Sequence, residues 1–248
     1  MTPPLQTHTD SGGIGGSRDR RDFLRTAGLG GLALVLPTAL AACADEAVAP
    51  VLPNGNQRRI RQIDANQSVT LDFTSDIGVA NYAFALEQLE ARFYILATEN
   101  PAADLLPGEL AVLRDIRAHE VVHRDFLAAY LGDAGIGGLT FDFSSVDFTS
   151  RSSVLTTSRI FEDLGVAAYN GAGELLTDPN NLLLAGKIVS VEARHAATIR
   201  DLLIPRSTYF AGDDVIDANG LDQAFDPRTV LAAADPFIVN PVNVVGLP

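Results

Sequence analysis

Apolar residues recur with the period of an α-helix along four segments of the chain, at residues 77–98, 108–131, 153–176 and 182–203. Ser75 or Asp76 is suited to cap the first segment, Gly132 to end the second and Pro205 to end the fourth. A helix of about twenty residues is about 30 Å long, so the four apolar faces can cover one another along their length. The pattern therefore predicts an all-α fold, a four-helix bundle.

The connections predict how the helices are arranged. Short turns join the first helix to the second and the third to the fourth, so each pair is expected to be antiparallel. About twenty residues, 132–152, separate the second helix from the third. At about 3.3 Å per residue this segment can cross the length of the bundle, which predicts one long crossover. Phe141, Phe143 and Phe148 alternate with polar residues there, so we expect the crossover to lie against the bundle as an extended strip.

The segments on either side of the bundle lack a sustained helical period. We assign residues 1–43 to a signal peptide, 44–71 to a tether, 72–204 to the bundle and 205–248 to an extended C-terminal tail. Residues 206–248 contain four prolines, and the tail is predicted to form at most one short helix, near residues 227–234. Its sequence leaves open whether it wraps its own bundle or a second copy in a homo-oligomer.

The N-terminus has the order of a twin-arginine signal peptide. Arg20 and Arg21 precede an apolar stretch at residues 27–42, which Pro37 and several glycines interrupt. Cys43 follows this stretch in a setting that resembles a bacterial lipobox, so we expect a lipid on Cys43 to attach the protein to a membrane. The alternative is a buried N-terminal helix, which fits the arginine pair less well. The prediction is an exported lipoprotein of the periplasm or cell envelope.

Charge and cysteine content exclude two classes of function. The formal net charge of the 248 residues is -13, so the chain offers no surface that could neutralise a run of phosphates, and nucleic acid is not an expected partner. Cys43 is the single cysteine, which excludes a disulfide framework and a Cys-x-x-Cys metal module within this sequence.

The two halves of the bundle repeat a pattern of glutamate, tyrosine and histidine. In each half a glutamate is followed seven positions later by a tyrosine, and the next helix carries Glu-x-x-His. The first half has Glu87, Tyr94, Glu120 and His123; the second half has Glu162, Tyr169, Glu192 and His195. A duplicated helical hairpin accounts for the correspondence.

The repeated residues are suited to bind metal. Glu and His three positions apart lie on one face of a helix, so a carboxylate and an imidazole can reach the same ion. Each predicted ligand lies in an apolar stripe, and buried carboxylates are unfavourable unless they are paired, protonated or bound to metal. The sequence therefore predicts a metal site in the bundle core, formed by Glu87, Glu120, His123, Glu162, Glu192 and His195.

Four residues near this site are open to other interpretations. Glu90 also faces apolar neighbours and is an alternative to Glu87, although the repeat favours Glu87 because Gly165 is the counterpart of Glu90. His119 is either a surface histidine or one that contacts a ligand. The two repeated tyrosines either hydrogen-bond to ligands or fill the core.

This arrangement of Glu and Glu-x-x-His on four helices resembles the ferritin-like di-iron and di-manganese carboxylate proteins, over residues 72–204. The chain is similar to exported bacterial ferritin-like proteins of the desiccation-related group and to rubrerythrin-like relatives. The resemblance implies two iron or manganese ions, bridged by Glu120 and Glu192. Glu87 with His123, and Glu162 with His195, would complete one ion each.

The resemblance implies redox chemistry with oxygen or peroxide, as in a ferroxidase, a peroxidase or a catalase, and so a possible oxidoreductase. The alternative is a protein without catalysis that keeps the fold for stress protection or for binding a partner.

Overall fold

Residues 60–247 form five α-helices and two short strands in a computed structural model, which describes these residues of the chain. The helices are α1 (Asp76–Glu99), α2 (Glu109–Leu131), α3 (Arg151–Ala172), α4 (Pro179–Leu203) and α5 (Pro227–Ala234). The strands are β1 (Val69–Asp72) and β2 (Val242–Val245). The predicted signal peptide, Cys43 and most of the predicted tether lie outside the described residues. Within residues 60–247, no helix is both long and apolar enough to span a membrane.

The four long helices confirm the predicted all-α bundle. Ser75 stands at the N-cap of α1 but its side chain accepts no hydrogen bond there, whereas α3 and α4 begin at side-chain caps. The side chain of Asp178 accepts a hydrogen bond from the backbone N–H of Asn180, and Pro179 occupies the first turn of α4. This cap starts α4 three residues earlier than its apolar pattern predicts. The α3 helix ends at Ala172 and a 3₁₀ turn, Gly173–Leu175, completes the segment that was predicted as helix.

The helices pack as two hairpins, α1 with α2 and α3 with α4, and the crossover between them lies on the bundle as predicted. Phe143 of the crossover is buried, with its ring centroid 6.0 Å from that of Phe93 in α1 and 6.4 Å from that of Phe161 in α3. Phe148 also contacts Phe93, at 5.7 Å. These aromatic contacts join the two hairpins along one side of the core.

The two strands were not predicted. β1 pairs in parallel with β2, with Val69 opposite Val242 and Asp72 opposite Val245. Val69 and Leu71 point into the core, while Thr70 and Asp72 are exposed. The first three residues of β1 lie in the segment assigned to a tether, and Asp72 is the first residue assigned to the bundle. Four residues are too few for a clear alternating pattern, and the pairing joins opposite ends of the described chain.

The C-terminal tail of the described chain lies on its own bundle and includes the predicted short helix, α5. The N–H of Phe225 donates to the carbonyl of Ala167 at 3.0 Å, and the Asn170 side chain donates to the carbonyl of Gln223. A Cβ on Gly171 would lie 1.9 Å from the Phe225 carbonyl oxygen, so only glycine permits this approach. The tail therefore covers α3 through backbone contacts.

Candidate metal centre

Each of the four long helices brings one glutamate to the middle of the bundle, where none of the four carboxylates is exposed. The residues are Glu87 of α1, Glu120 of α2, Glu162 of α3 and Glu192 of α4. The Glu-x-x-His spacing on α2 and α4 adds His123, whose side chain is 12% exposed, and His195, whose side chain is 5% exposed. The structure therefore brings all six predicted residues together.

These residues form two overlapping sets of ligand atoms. In each set, one carboxylate or imidazole atom from every member lies within 4.8 Å of the others. One set is Glu87, Glu120, His123 and Glu192; the other is Glu120, Glu162, Glu192 and His195. Glu120 and Glu192 belong to both sets, and each of the remaining four belongs to one. This division is the one that the resemblance implies for two bridging and four terminal ligands.

The two imidazoles face carboxylates from the other hairpin. Nδ1 of His123 lies 2.8 Å from Oε1 of Glu192, and Nδ1 of His195 lies 2.8 Å from Oε1 of Glu120. The relation is reciprocal, since each histidine approaches the glutamate that precedes the other histidine. The centre thus repeats the internal symmetry of the two hairpins.

Most of the side-chain oxygen and nitrogen atoms in these six residues have no hydrogen bond. Among residues 60–247, nine buried side-chain oxygen or nitrogen atoms lack a hydrogen-bond partner, and eight of them belong to these six residues. Buried polar atoms are normally satisfied. A group of eight that all face the same small volume fits a metal site, because oxygen and nitrogen atoms that bind cations must leave their lone pairs free for the ion.

Tyr94 and Tyr169 hydrogen-bond to the two glutamates that belong to one set only. Oη of Tyr94 donates to Oε1 of Glu162 at 2.5 Å, and Oη of Tyr169 donates to Oε1 of Glu87 at 2.6 Å. Each tyrosine thus holds the glutamate of the opposite half and leaves that glutamate's second oxygen without a partner. Of the two interpretations of the tyrosines, the structure supports the hydrogen bond to a predicted ligand.

Burial and neighbouring charges together raise the pKa of some residues in the cluster and lower that of others. Burial, with the charge of Glu192, raises the pKa of Glu120 well above its usual range. Burial also opposes the ionised form of Glu192, but contacts with both histidines outweigh it and lower the pKa of Glu192 to about 2. Burial likewise opposes the charged form of His195, yet its carboxylate contacts raise its pKa to about 12. Without metal, protons on the imidazoles balance the carboxylate charge, and a cation would take over this role.

Glu90, the alternative to Glu87, is buried but does not belong to either set. Its Oε1 lies 2.9 Å from the position that a Cβ on Gly165 would occupy, so the missing side chain of Gly165 makes room for it. Burial, followed by the charge of Glu120, raises the pKa of Glu90 well above its usual range. Burial therefore favours the protonated form of Glu90, next to the cluster.

His119 contacts His195 on the side away from the carboxylates. Nδ1 of His119 lies 2.9 Å from Nε2 of His195, and the two rings are stacked with an interplanar angle of 9°. His119 itself is exposed. A histidine that binds metal through one nitrogen is commonly held by a hydrogen bond at the other, which is the role this contact can serve. Its counterpart in the repeat is Val191, so the contact exists in one half alone and the repeat gives no signal for it.

The all-helical bundle and its buried cluster of glutamate and histidine define the class of ferritin-like carboxylate proteins. The sequence profile of the ferritin-like domain family matches residues 75–205, more than half of the chain. The chain therefore belongs to this family. A comparison with curated protein sequences gives no match.

Proposed function

We propose that the six-residue cluster holds two ions of iron or manganese, and that the protein uses them for redox chemistry with dioxygen or hydrogen peroxide. The reaction would be that of a ferroxidase, a peroxidase or a catalase. The observation that carries the proposal is the pair of overlapping ligand sets that share Glu120 and Glu192, because sharing two carboxylates is how a bundle core holds two cations side by side.

The types of ligand favour iron or manganese. Each set offers three carboxylates and one imidazole and no thiolate, which suits hard divalent and trivalent ions rather than copper(I) or an iron–sulfur cluster. Two such ions, held by these residues, would supply two electrons in all, enough to reduce dioxygen to hydrogen peroxide, or hydrogen peroxide to two water molecules, with the uptake of two protons.

The protein side of this chemistry consists of positioning, desolvation and protons. Tyr94 and Tyr169 orient two of the carboxylates, and the bundle keeps all four carboxylates out of water. Burial favours the protonated form of Glu90 beside the cluster, and its carboxyl group would supply a proton that reduction of an oxygen species requires. His119 connects His195 with the surface.

The test is a stopped-flow measurement on protein loaded with ferrous iron in the absence of oxygen. Mixing with dioxygen or with hydrogen peroxide should oxidise the iron much faster than in a Glu120→Ala/Glu192→Ala variant. The matched control is Glu99→Ala/Glu174→Ala, which removes two exposed carboxylates and should behave as the wild type. Metal-loaded protein that is inert to both oxidants would refute the redox proposal and favour the alternative, a stress-protection or binding protein without catalysis.

The place of action is proposed from the N-terminal sequence. Twin-arginine export and a lipid on Cys43 would hold the protein at a membrane of the cell envelope, with the acidic body in the periplasm. Labelling with a radioactive fatty acid tests this, since Cys43→Ala should lose both the label and the membrane fraction.

A further inference from the structure

A cavity with apolar walls lies between the four long helices, at one end of the bundle. It offers about 60 Å³ to a water-sized molecule, whereas one water needs about 10–15 Å³, so several small molecules fit. Most of its lining residues are aliphatic, alanine or phenylalanine, among them Leu86, Phe126 and Leu184. Water finds few hydrogen-bond partners along such walls, and a small apolar molecule is better suited to them.

Three polar lining residues lie together at the rim and hydrogen-bond to one another, while two further tyrosines, Tyr82 and Tyr169, line the buried part of the cavity. Oη of Tyr130 donates to Oδ1 of Asn181 at 3.0 Å, and Nδ2 of Asn181 donates to Oδ2 of Asp76 at 2.8 Å. Tyr130 is 39% exposed, and the three residues lie at the ends of α2, α4 and α1 that face the same side. The rim is therefore open to solvent, and its polar groups already have partners.

The inner end of the cavity lies one helical turn from the metal centre. Three lining residues lie four positions along their helix from a member of the cluster: Ala83 from Glu87, Leu127 from His123 and Ile188 from Glu192. On the fourth wall, Tyr169 both lines the cavity and donates its hydroxyl to Glu87. The cavity therefore extends from the bundle end to within one helical turn of the proposed centre, where Tyr169 joins its wall to Glu87.

We propose that this cavity binds dioxygen and admits it to the metal centre, so that dioxygen is the oxidant favoured over hydrogen peroxide; the inference rests on the proposed function above. Dioxygen is small and apolar and gains by leaving water for apolar walls. Hydrogen peroxide gives up hydrogen bonds to water on entering them. The overall change balances as one dioxygen, two protons and two electrons from two divalent ions, giving one hydrogen peroxide and two trivalent ions.

Xenon tests the cavity without any metal, because this apolar atom can be located in crystals of the metal-free protein under xenon pressure. The wild type should hold xenon in the cavity. Ala83→Leu and Ala185→Leu, which add bulk to the walls from α1 and α4, should exclude it. Ala111→Leu changes an exposed alanine of α2 outside the cavity and should bind xenon as the wild type does. Ordered water in place of xenon in the wild type overturns the proposal, and so does an alkyl chain bound there.

The choice of oxidant is tested by the ratio of the oxidation rates with dioxygen and with hydrogen peroxide in iron-loaded protein. This ratio should fall about tenfold in Ala83→Leu and in Ala185→Leu and stay unchanged in Ala111→Leu. An equal ratio in all four proteins overturns the proposal, and the second filling variant keeps the test intact if the first does not fold. A wild-type chain that takes up no iron refutes the proposed function instead, and elemental analysis shows this before any rate is measured.

Discussion

Removal of metal is expected to lower the stability of the bundle by several kcal/mol. Of the eight buried atoms of the cluster without a hydrogen bond, four lie in the two closest imidazole–carboxylate contacts. Each of the other four costs about 1–3 kcal/mol, or about 4–12 kcal/mol in all. The imidazole–carboxylate contacts at 2.8 Å offset part of this. A net effect of about 5 kcal/mol is also what two ions contribute when each is present at about 100 times its dissociation constant.

For a body of this size, about 5 kcal/mol corresponds to a rise in Tm of about 10–20 °C. The assay is thermal unfolding followed by circular dichroism, on chelator-treated protein with and without added manganese. Manganese avoids the oxidation that would complicate the same experiment with ferrous iron. The Glu120→Ala/Glu192→Ala variant should show no rise, and Glu99→Ala/Glu174→Ala should show the full rise. Equal melting temperatures with and without metal in the wild type, or an equal rise in the Glu120→Ala/Glu192→Ala variant, would refute the reasoning.

Three further predictions concern the surroundings of the cluster. His119→Ala should weaken metal binding about 10–100-fold in isothermal titration, because His195 loses the contact at its Nε2; an unchanged affinity would contradict this role. The metal-free protein should lose stability between pH 7 and pH 9, measured by urea unfolding. Because the pKa of His195 is raised in the folded state, this state binds more protons than the unfolded state above about pH 6.5. A free energy of unfolding that rises over this range would contradict the prediction. Gly171→Ala should destabilise the fold by about 2 kcal/mol or more, because the new Cβ meets the Phe225 carbonyl. Gly186→Ala, which has open space around it in α4, should be neutral or stabilising. Equal effects of the two substitutions would contradict the contact between the tail and α3.

The helices and the clustering of the six residues were predictable because their signals are local. Helical periodicity needs a window of a few turns, and Glu-x-x-His places two side chains on one face wherever the helix lies. The repeat supplied the remaining information, since Glu87 and Glu162 take equivalent positions in two similar hairpins. It also separated Glu87 from Glu90, and the structure places Glu90 outside both ligand sets.

Features that depend on distant contacts were not predictable from these patterns. β1 and β2 pair across most of the described chain, and neither strand is long enough to show its own alternation. The stacking of His119 on His195 joins residues 76 positions apart and has no counterpart in the other half. The cavity beside Ala83 arises because several side chains that meet there are small. An apolar pattern along the sequence is the same whether the core is filled or contains a cavity.

The most direct test of the account is the metal content of the purified protein, measured by elemental analysis beside the Glu120→Ala/Glu192→Ala variant. The account predicts about two iron or manganese ions per wild-type chain, and their loss from the variant, because both ligand sets share these two carboxylates. A wild-type protein that is free of metal, and that takes up neither iron nor manganese on reconstitution, would contradict it.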